Sequence, residues 1–219
     1  MAQLSKLILF KTIAYLSLLM VSFLLSACTT QPSSDLTSPT VKAKLTPKPL
    51  SQMIAAANPL AAKVGQSILR KGGSAIDAAI SAQLVLTLVE PQSSGIGGGA
   101  FLLHYNAKTG SIQSFDGRET APNAAHSRMF LKKDGTKKKF YEAVVGGLAV
   151  GIPGLLRMLE LAHKQHGRLP WKDLFQPAIK MAKAGFAISP RLASLIANDK
   201  YLKTFDKTRQ YFYDAENNP

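Results

Sequence analysis

Ser93-Ser94-Gly95-Ile96-Gly97-Gly98-Gly99-Ala100 sets Gly95, Gly97 and Ala100 in the loose dinucleotide spacing G-x-G-x-x-A. Such a loop holds a phosphate when a strand leads into it and a helix leaves, because the helix start presents free N–H groups. A second candidate follows at Asp116-Gly117-Arg118-Glu119. The Arg118 guanidinium is a planar fork of donors that matches a carboxylate with two parallel hydrogen bonds. On these residues alone Arg118 is either a binder of a substrate carboxylate or a structural arginine paired to Asp116 or Glu119. Of the four histidines, 104, 126, 163 and 166, the last two stand three apart on a helical stretch. Without further ligands in metal spacing they read as surface or capping groups. Cys28 is the sole cysteine, which excludes an intrachain disulfide and a thiol nucleophile in the folded part. A G-x-S-x-G elbow for serine catalysis is also missing.

The elements around the glycines argue against a phosphate. Asn58-Pro59 reads as an N-cap and first helical residue, and Gly72 as the stop. Ser74 to Asp77 has capping-box spacing and opens the run AIDAAISAQLVLTLV, apolar nearly all round and therefore a deeply buried helix ending at Pro91. After the glycines, AFLLHY and SIQSF flank NAKTG as a β-hairpin whose first strand is apolar on both faces, as in a sheet covered on both sides. A helix thus enters the loop and a strand leaves it. A Walker lysine and a suitably placed acidic residue about 20 positions on are both lacking. The glycines are expected to serve a sharp turn and close packing, some with φ above zero. Further helices are expected from Pro153 to Gly167, from Pro177 to Gly185, and from the Ser189-Pro190 cap.

The 219 residues carry a formal charge of +14, or +12 without residues 1–27. The densest run, LKKDGTKKK at 131–139, contains the turn signal Asp134-Gly135 and reads as a solvated loop. Aromatics do not alternate with the basic residues as a single-strand groove requires, so no nucleic-acid partner is expected. At the N-terminus Lys6 and Lys11 precede an apolar stretch too short to span a membrane comfortably, followed by Leu25-Ser26-Ala27-Cys28. This resembles a bacterial lipobox. It implies a signal peptide over 1–27, lipidation of Cys28, and anchorage to a membrane facing the periplasm, with Thr29 in place of aspartate favouring the outer membrane. Residues 28–50, rich in Ser, Thr, Pro and Lys, read as a disordered tether, and the folded part as 51–219.

Residues 72–122, from GGSAIDAA through GIGGGAFLLHY to FDGRETAP, closely resemble the N-terminal region of the large subunit of gamma-glutamyltransferases, and the similarity extends over about 51–219. The resemblance implies an α+β fold, the αββα sandwich of N-terminal nucleophile hydrolases, here as a helix-rich portion with a β-hairpin. It implies transfer of the γ-glutamyl group of glutathione or related compounds to water or an amino acid, with no metal or organic cofactor. Arg118 is implied to bind the α-carboxylate of that group, Asp116 and Glu119 to serve as scaffold. The family's nucleophile is the N-terminal threonine of a small subunit, implied here as a partner chain. Because the sequence stops at DAENNP, this chain alone is expected to have no turnover, and its hairpin to lack sheet partners. Two other readings stand beside this: a non-enzymatic lipoprotein remnant, and part of a related acylase or poly-γ-glutamate hydrolase.

Overall fold

The computed structural model describes residues 52–219. The signal-peptide, lipidation and tether expectations for residues 1–27 and 28–50, Cys28 included, lie outside the described residues. Helix α1 (Pro59–Arg70) begins where Asn58 accepts a hydrogen bond from the Leu60 N–H, and ends before Gly72 at φ +88°. Helix α2 (Ala75–Val89) starts in a complete capping box between Ser74 and Asp77. Its Ile76, Ile80, Leu84, Val85 and Val89 are all buried. It is the central element: one side packs with Ile68 and Leu69 of α1, and another with α4 (Leu155–His166) and α5 (Trp171–Ala184) through Leu155, Leu159 and Leu174.

Strands β1 (Ala100–Asn106) and β2 (Ser111–Gly117) pair antiparallel, with Leu102 opposite Phe115 and His104 opposite Gln113. The alternation of the strand sends Leu102, His104 and Phe115 toward α4. Phe101, Leu103, Tyr105 and Ile112 point the other way and are 62–74% exposed. The expectation of a sheet covered on both faces is therefore met on one face only, since nothing among the described residues covers the second. The remaining elements are α3 (Phe140–Val144), α6 (Pro190–Asn198), a 3-10 turn (Leu202–Thr204) and α7 (Asp206–Phe212).

Two helix starts differ from expectation. Helix α4 begins at Leu155 behind Gly154 rather than at Pro153. Helix α5 begins at Trp171 behind Pro170 and carries Pro177 inside it. Pro177 cannot donate to the Asp173 carbonyl, yet the helix continues because Leu174 beside it is wholly buried. The Ser189-Pro190 cap is as expected, with the Ser189 hydroxyl accepting from the Leu192 N–H.

Glu90, just past α2, ties three elements together. Its buried carboxylate accepts from Asn58 (2.9 Å), Gln92 (2.6 Å) and Arg191 (2.8 Å). These hydrogen bonds, Asn58 first, hold its pKa below the ordinary value of 4.5 against the opposing effect of burial. A lowered folded-state pKa stabilises the fold fully above pH 4.5, and that contribution is lost as pH falls through the lowered value. Thermal melting from pH 6 to pH 3 is expected to show a steeper acid loss for the wild type than for Glu90→Gln. Parallel curves would mean that Glu90 contributes nothing to the acid limb.

Candidate functional site

The polypeptide leaves β2 at Gly117 and immediately presents Arg118. The Asp116 carboxylate accepts from the Arg118 backbone N–H at 2.8 Å, fixing the turn out of the strand. The Arg118 side chain is 71% exposed, and its only ion-pair contact among the described residues is Glu119, with Nε 3.8 Å from Oε2. That separation leaves the terminal nitrogens of the guanidinium free to meet a ligand. The segment is held from below as residue 120 pairs with residue 152, the Ile152 N–H donating to the Thr120 carbonyl at 2.9 Å.

The glycine loop lies directly beside this turn. A Cβ on Gly99 would sit 2.6 Å from both Glu119 Oε2 and the Gly117 carbonyl oxygen, and one on Gly151 would sit 2.9 Å from the Glu119 Cβ. The glycines therefore provide room for Glu119 next to Arg118. The expectation of positive φ in this loop is not met, since Gly95, Gly97, Gly98 and Gly99 are not among the glycines with positive φ. At Gly99 close approach, not left-handed backbone, requires glycine. Helix α2 enters the loop and β1 leaves it, the reverse of a phosphate cradle.

Arg118 and Glu119 open onto a pocket of about 380 Å³ whose walls include Thr120, Met129, Phe130 and Val150. Met129 and Phe130 carry no signal in the sequence; they lie in consecutive turns, with the Met129 N–H donating to the His126 carbonyl at 3.1 Å and the Leu131 N–H to the Arg128 carbonyl at 3.0 Å. The pocket thus combines one exposed guanidinium, one carboxylate and apolar walls, which suits a small ligand carrying a carboxylate.

The histidines lie elsewhere, and the surface reading of two of them is corrected. His163 is largely buried and its Nε2 donates to the Leu169 carbonyl at 2.8 Å, 3.5 Å from Asp77 Oδ1. His166 stacks on His104 at 3.9 Å and bonds to Gln113, fastening the hairpin to α4. Burial, then the neighbouring His166, pushes the His104 pKa down. These are packing contacts between the hairpin and α4.

Residues 61–219 match the family model described as Gamma-glutamyltranspeptidase. The glutathione hydrolase proenzyme of Bacillus subtilis (strain 168) is 45% identical over 146 residues, 67% of this chain and 25% of the relative. Scoloptoxin SSD14 of Scolopendra dehaani is 47% identical over 139 residues, 64% of this chain and 23% of the relative. Among solved structures, the Helicobacter pylori gamma-glutamyltranspeptidase aligns with a TM-score of 0.72 at 34% identity, covering 76% of this chain and 48% of the other. The Bacillus anthracis transpeptidase enzyme CapD aligns with a TM-score of 0.62 at 30% identity, covering 78% and 52%. The chain spans about a quarter of the curated relatives and about half of the solved chains.

Proposed function

This chain belongs to the gamma-glutamyltranspeptidase family, and from that premise we propose that it supplies the γ-glutamyl-recognising N-terminal portion of an enzyme acting on glutathione or related γ-glutamyl amides. Its helices and hairpin are part of the α+β, N-terminal nucleophile hydrolase fold of that family. In the proposed reaction a threonine hydroxyl, contributed by a small subunit outside these residues, attacks the γ-carbonyl. The amine leaves with the hydroxyl proton, and water or an amino acid then takes the acyl group. Arg118 performs the recognition: its two terminal nitrogens accept neither proton nor acyl group but bind the α-carboxylate. Glu119, seated against Gly99 and Gly151, steers the guanidinium from its Nε side. We further propose that Cys28 carries a lipid and holds the enzyme at a membrane facing the periplasm, a reading supported by the apolar leader and the Leu-Ser-Ala-Cys sequence.

The carrying observation is an exposed guanidinium aimed from a strand end at a pocket of small-molecule size. A hydrogen bond to a charged group contributes about 1.5–3 kcal/mol. Lysine keeps the charge but not the fork, so Arg118→Lys is expected to lower kcat/KM for a γ-glutamyl anilide about 10- to 50-fold, chiefly by raising KM. The assay uses the protein isolated with any chain that co-purifies. Unchanged kinetics would remove Arg118 from substrate recognition.

A further inference from the structure

A second pocket, of about 600 Å³, shares no lining residue with the one at Arg118 and gathers basic residues from both the hairpin and the end of α4. We propose that it binds the phosphate group of a small phosphorylated molecule through Lys108 and Arg168, and that His104, stacked on His166 in its wall, takes up a proton from solvent as the anion enters.

Ordered backbone brings these residues to one wall. Lys108 lies in the turn between β1 and β2, where the Asn106 side-chain oxygen accepts from the Lys108 N–H at 3.0 Å and the Asn106 carbonyl from the Gly110 N–H at 2.8 Å. Arg168 lies in the loop after α4, which is pinned as the Arg168 and Leu169 N–H groups donate to the buried Asp77 carboxylate. His104 on β1 and His166 at the end of α4 complete the basic lining, their ring centres 3.9 Å apart and their planes within 21°. Lys108 and Arg168 are exposed and have no ion-pair partner among the described residues. Of the described residues that line the pocket, none is acidic. Ser74 and Ala75 bring the start of α2 to the same wall, and the positive end of its dipole has the same sign as the cations.

The imidazole pair couples the anion to a proton. His166 Nε2 carries a hydrogen, since it donates to the Gln113 amide oxygen at 2.8 Å, while the Gln113 amide nitrogen donates to Gln165 at 2.6 Å. His104 is half-buried and makes no side-chain hydrogen bond among the described residues. Burial, then His166, holds its pKa down. The other titratable groups around the pair are Tyr105, Lys108 and Arg168 in the pocket wall, and His163, which is turned to Leu169 and Asp77. Asp77 is engaged by the backbone of the loop, and Glu160 on α4 by Arg157 and Lys164. An imidazolium at His104 therefore gains its negative partner from the ligand. A bound dianion offsets the effects of burial and of His166, so affinity rises as pH falls through the histidine range. Phosphate suits the site because its several oxygens accept from more than one cation at once, whereas one guanidinium already matches a carboxylate. The volume exceeds that of phosphate and leaves room for the small molecule that carries it.

Sulfate stays dianionic between pH 6 and pH 8, so any proton taken up when it binds goes to the protein. Calorimetric titration of sulfate into the full chain, in two buffers of different ionisation enthalpy, is expected to show one saturable site with proton uptake, about three- to tenfold tighter at pH 6 than at pH 8. Arg168→Gln and Lys108→Gln are each expected to weaken it about three- to tenfold. His104→Phe keeps an aromatic ring against His166; it is expected to abolish the proton uptake and leave binding at pH 8 within about twofold. The two exposed cations keep the test readable if His104→Phe fails to fold. No saturable site, binding indifferent to both cations, or binding without proton uptake would each overturn the proposal. Glycerol 3-phosphate is expected to bind at least as tightly as sulfate, and phosphatidylcholine vesicles carrying phosphatidate to retain no more protein than plain ones. Retention by phosphatidate without binding of glycerol 3-phosphate would move the same chemistry to a lipid headgroup and overturn the small-molecule class. No γ-glutamyl substrate enters these measurements, so their outcome is separate from that of the Arg118 variant.

Discussion

Asp77→Ala is expected to destabilise the protein by about 3–5 kcal/mol. The side chain is wholly buried, and its Oδ2 accepts three backbone N–H groups: Ser74 at 2.8 Å, Arg168 at 2.9 Å and Leu169 at 3.2 Å. The first belongs to the start of α2. The other two belong to the loop between α4 and α5, which has no other tie of this kind to α2. Alanine leaves those donors in a site where losing a partner costs about 1–3 kcal/mol apiece. It also removes the acceptor beside His163, whose Nε2 already donates to Leu169. Water admitted to the space recovers part of the loss, hence the total below a simple sum. Urea unfolding of the whole chain gives the magnitude, and hydrogen exchange at the Arg168 and Leu169 amides gives the mechanism. A loss under 1 kcal/mol, or unchanged protection at both amides, would show that the buried carboxylate does not hold this loop.

Asp77 also marks what the sequence could and could not convey. Its capping-box role was legible, because a box needs only Ser74 three residues earlier and a helical run after it. Its longer role was not, because the two further donors lie 91 and 92 residues away. The same division holds elsewhere. Asn58 and Ser189 are caps readable from their immediate neighbours, yet the hydrogen bond from Asn58 to Glu90 and that from Arg191 to Glu90 depend on how three helices meet. Proline misled where it was read as a helix start, since Pro177 is carried inside α5 by the burial of Leu174. The order of helix then strand around the glycine loop, opposite to that of a phosphate cradle, is legible in the sequence and is the order the structure has. The loop's backbone angles are not legible there, because what requires glycine, at residue 99, is the approach of atoms from residues 117 and 119. Arg118 was legible as a chemical group, and its choice between scaffold and binding came from the resemblance of the surrounding motif. The lysine run at 131–139 is the largely exposed turn that Asp134-Gly135 signals.

The contact that fixes the Arg118 turn yields the second large effect. A Cβ on Gly154 would overlap the Gly117 carbonyl oxygen, and would lie 2.7 Å from the Gly117 carbonyl carbon and 2.8 Å from the Arg118 carbonyl oxygen. Every one of these atoms is backbone, so no side-chain rotation relieves the overlap. From the other side, a Cβ on Gly117 would meet the Met158 Cβ at 2.6 Å. The end of β2 therefore rests directly on the start of α4. Gly154 has an ordinary φ of −108°, so alanine there would gain about 0.4–1 kcal/mol from the unfolded state if space allowed. Overpacking against immovable backbone costs more, typically about 1–3 kcal/mol. Gly154→Ala is expected to lose about 3 kcal/mol and, by lifting β2 away from α4, to raise KM for γ-glutamyl anilides together with the loss of stability. Gly97→Ala is the matched control: a Cβ there meets nothing within 4 Å, and both quantities should stay within about 0.5 kcal/mol of wild type. A Gly154→Ala protein that melts early but keeps its KM would separate fold from site, and would mean that the Arg118 backbone is set by Asp116 and the pairing of residues 120 and 152 alone.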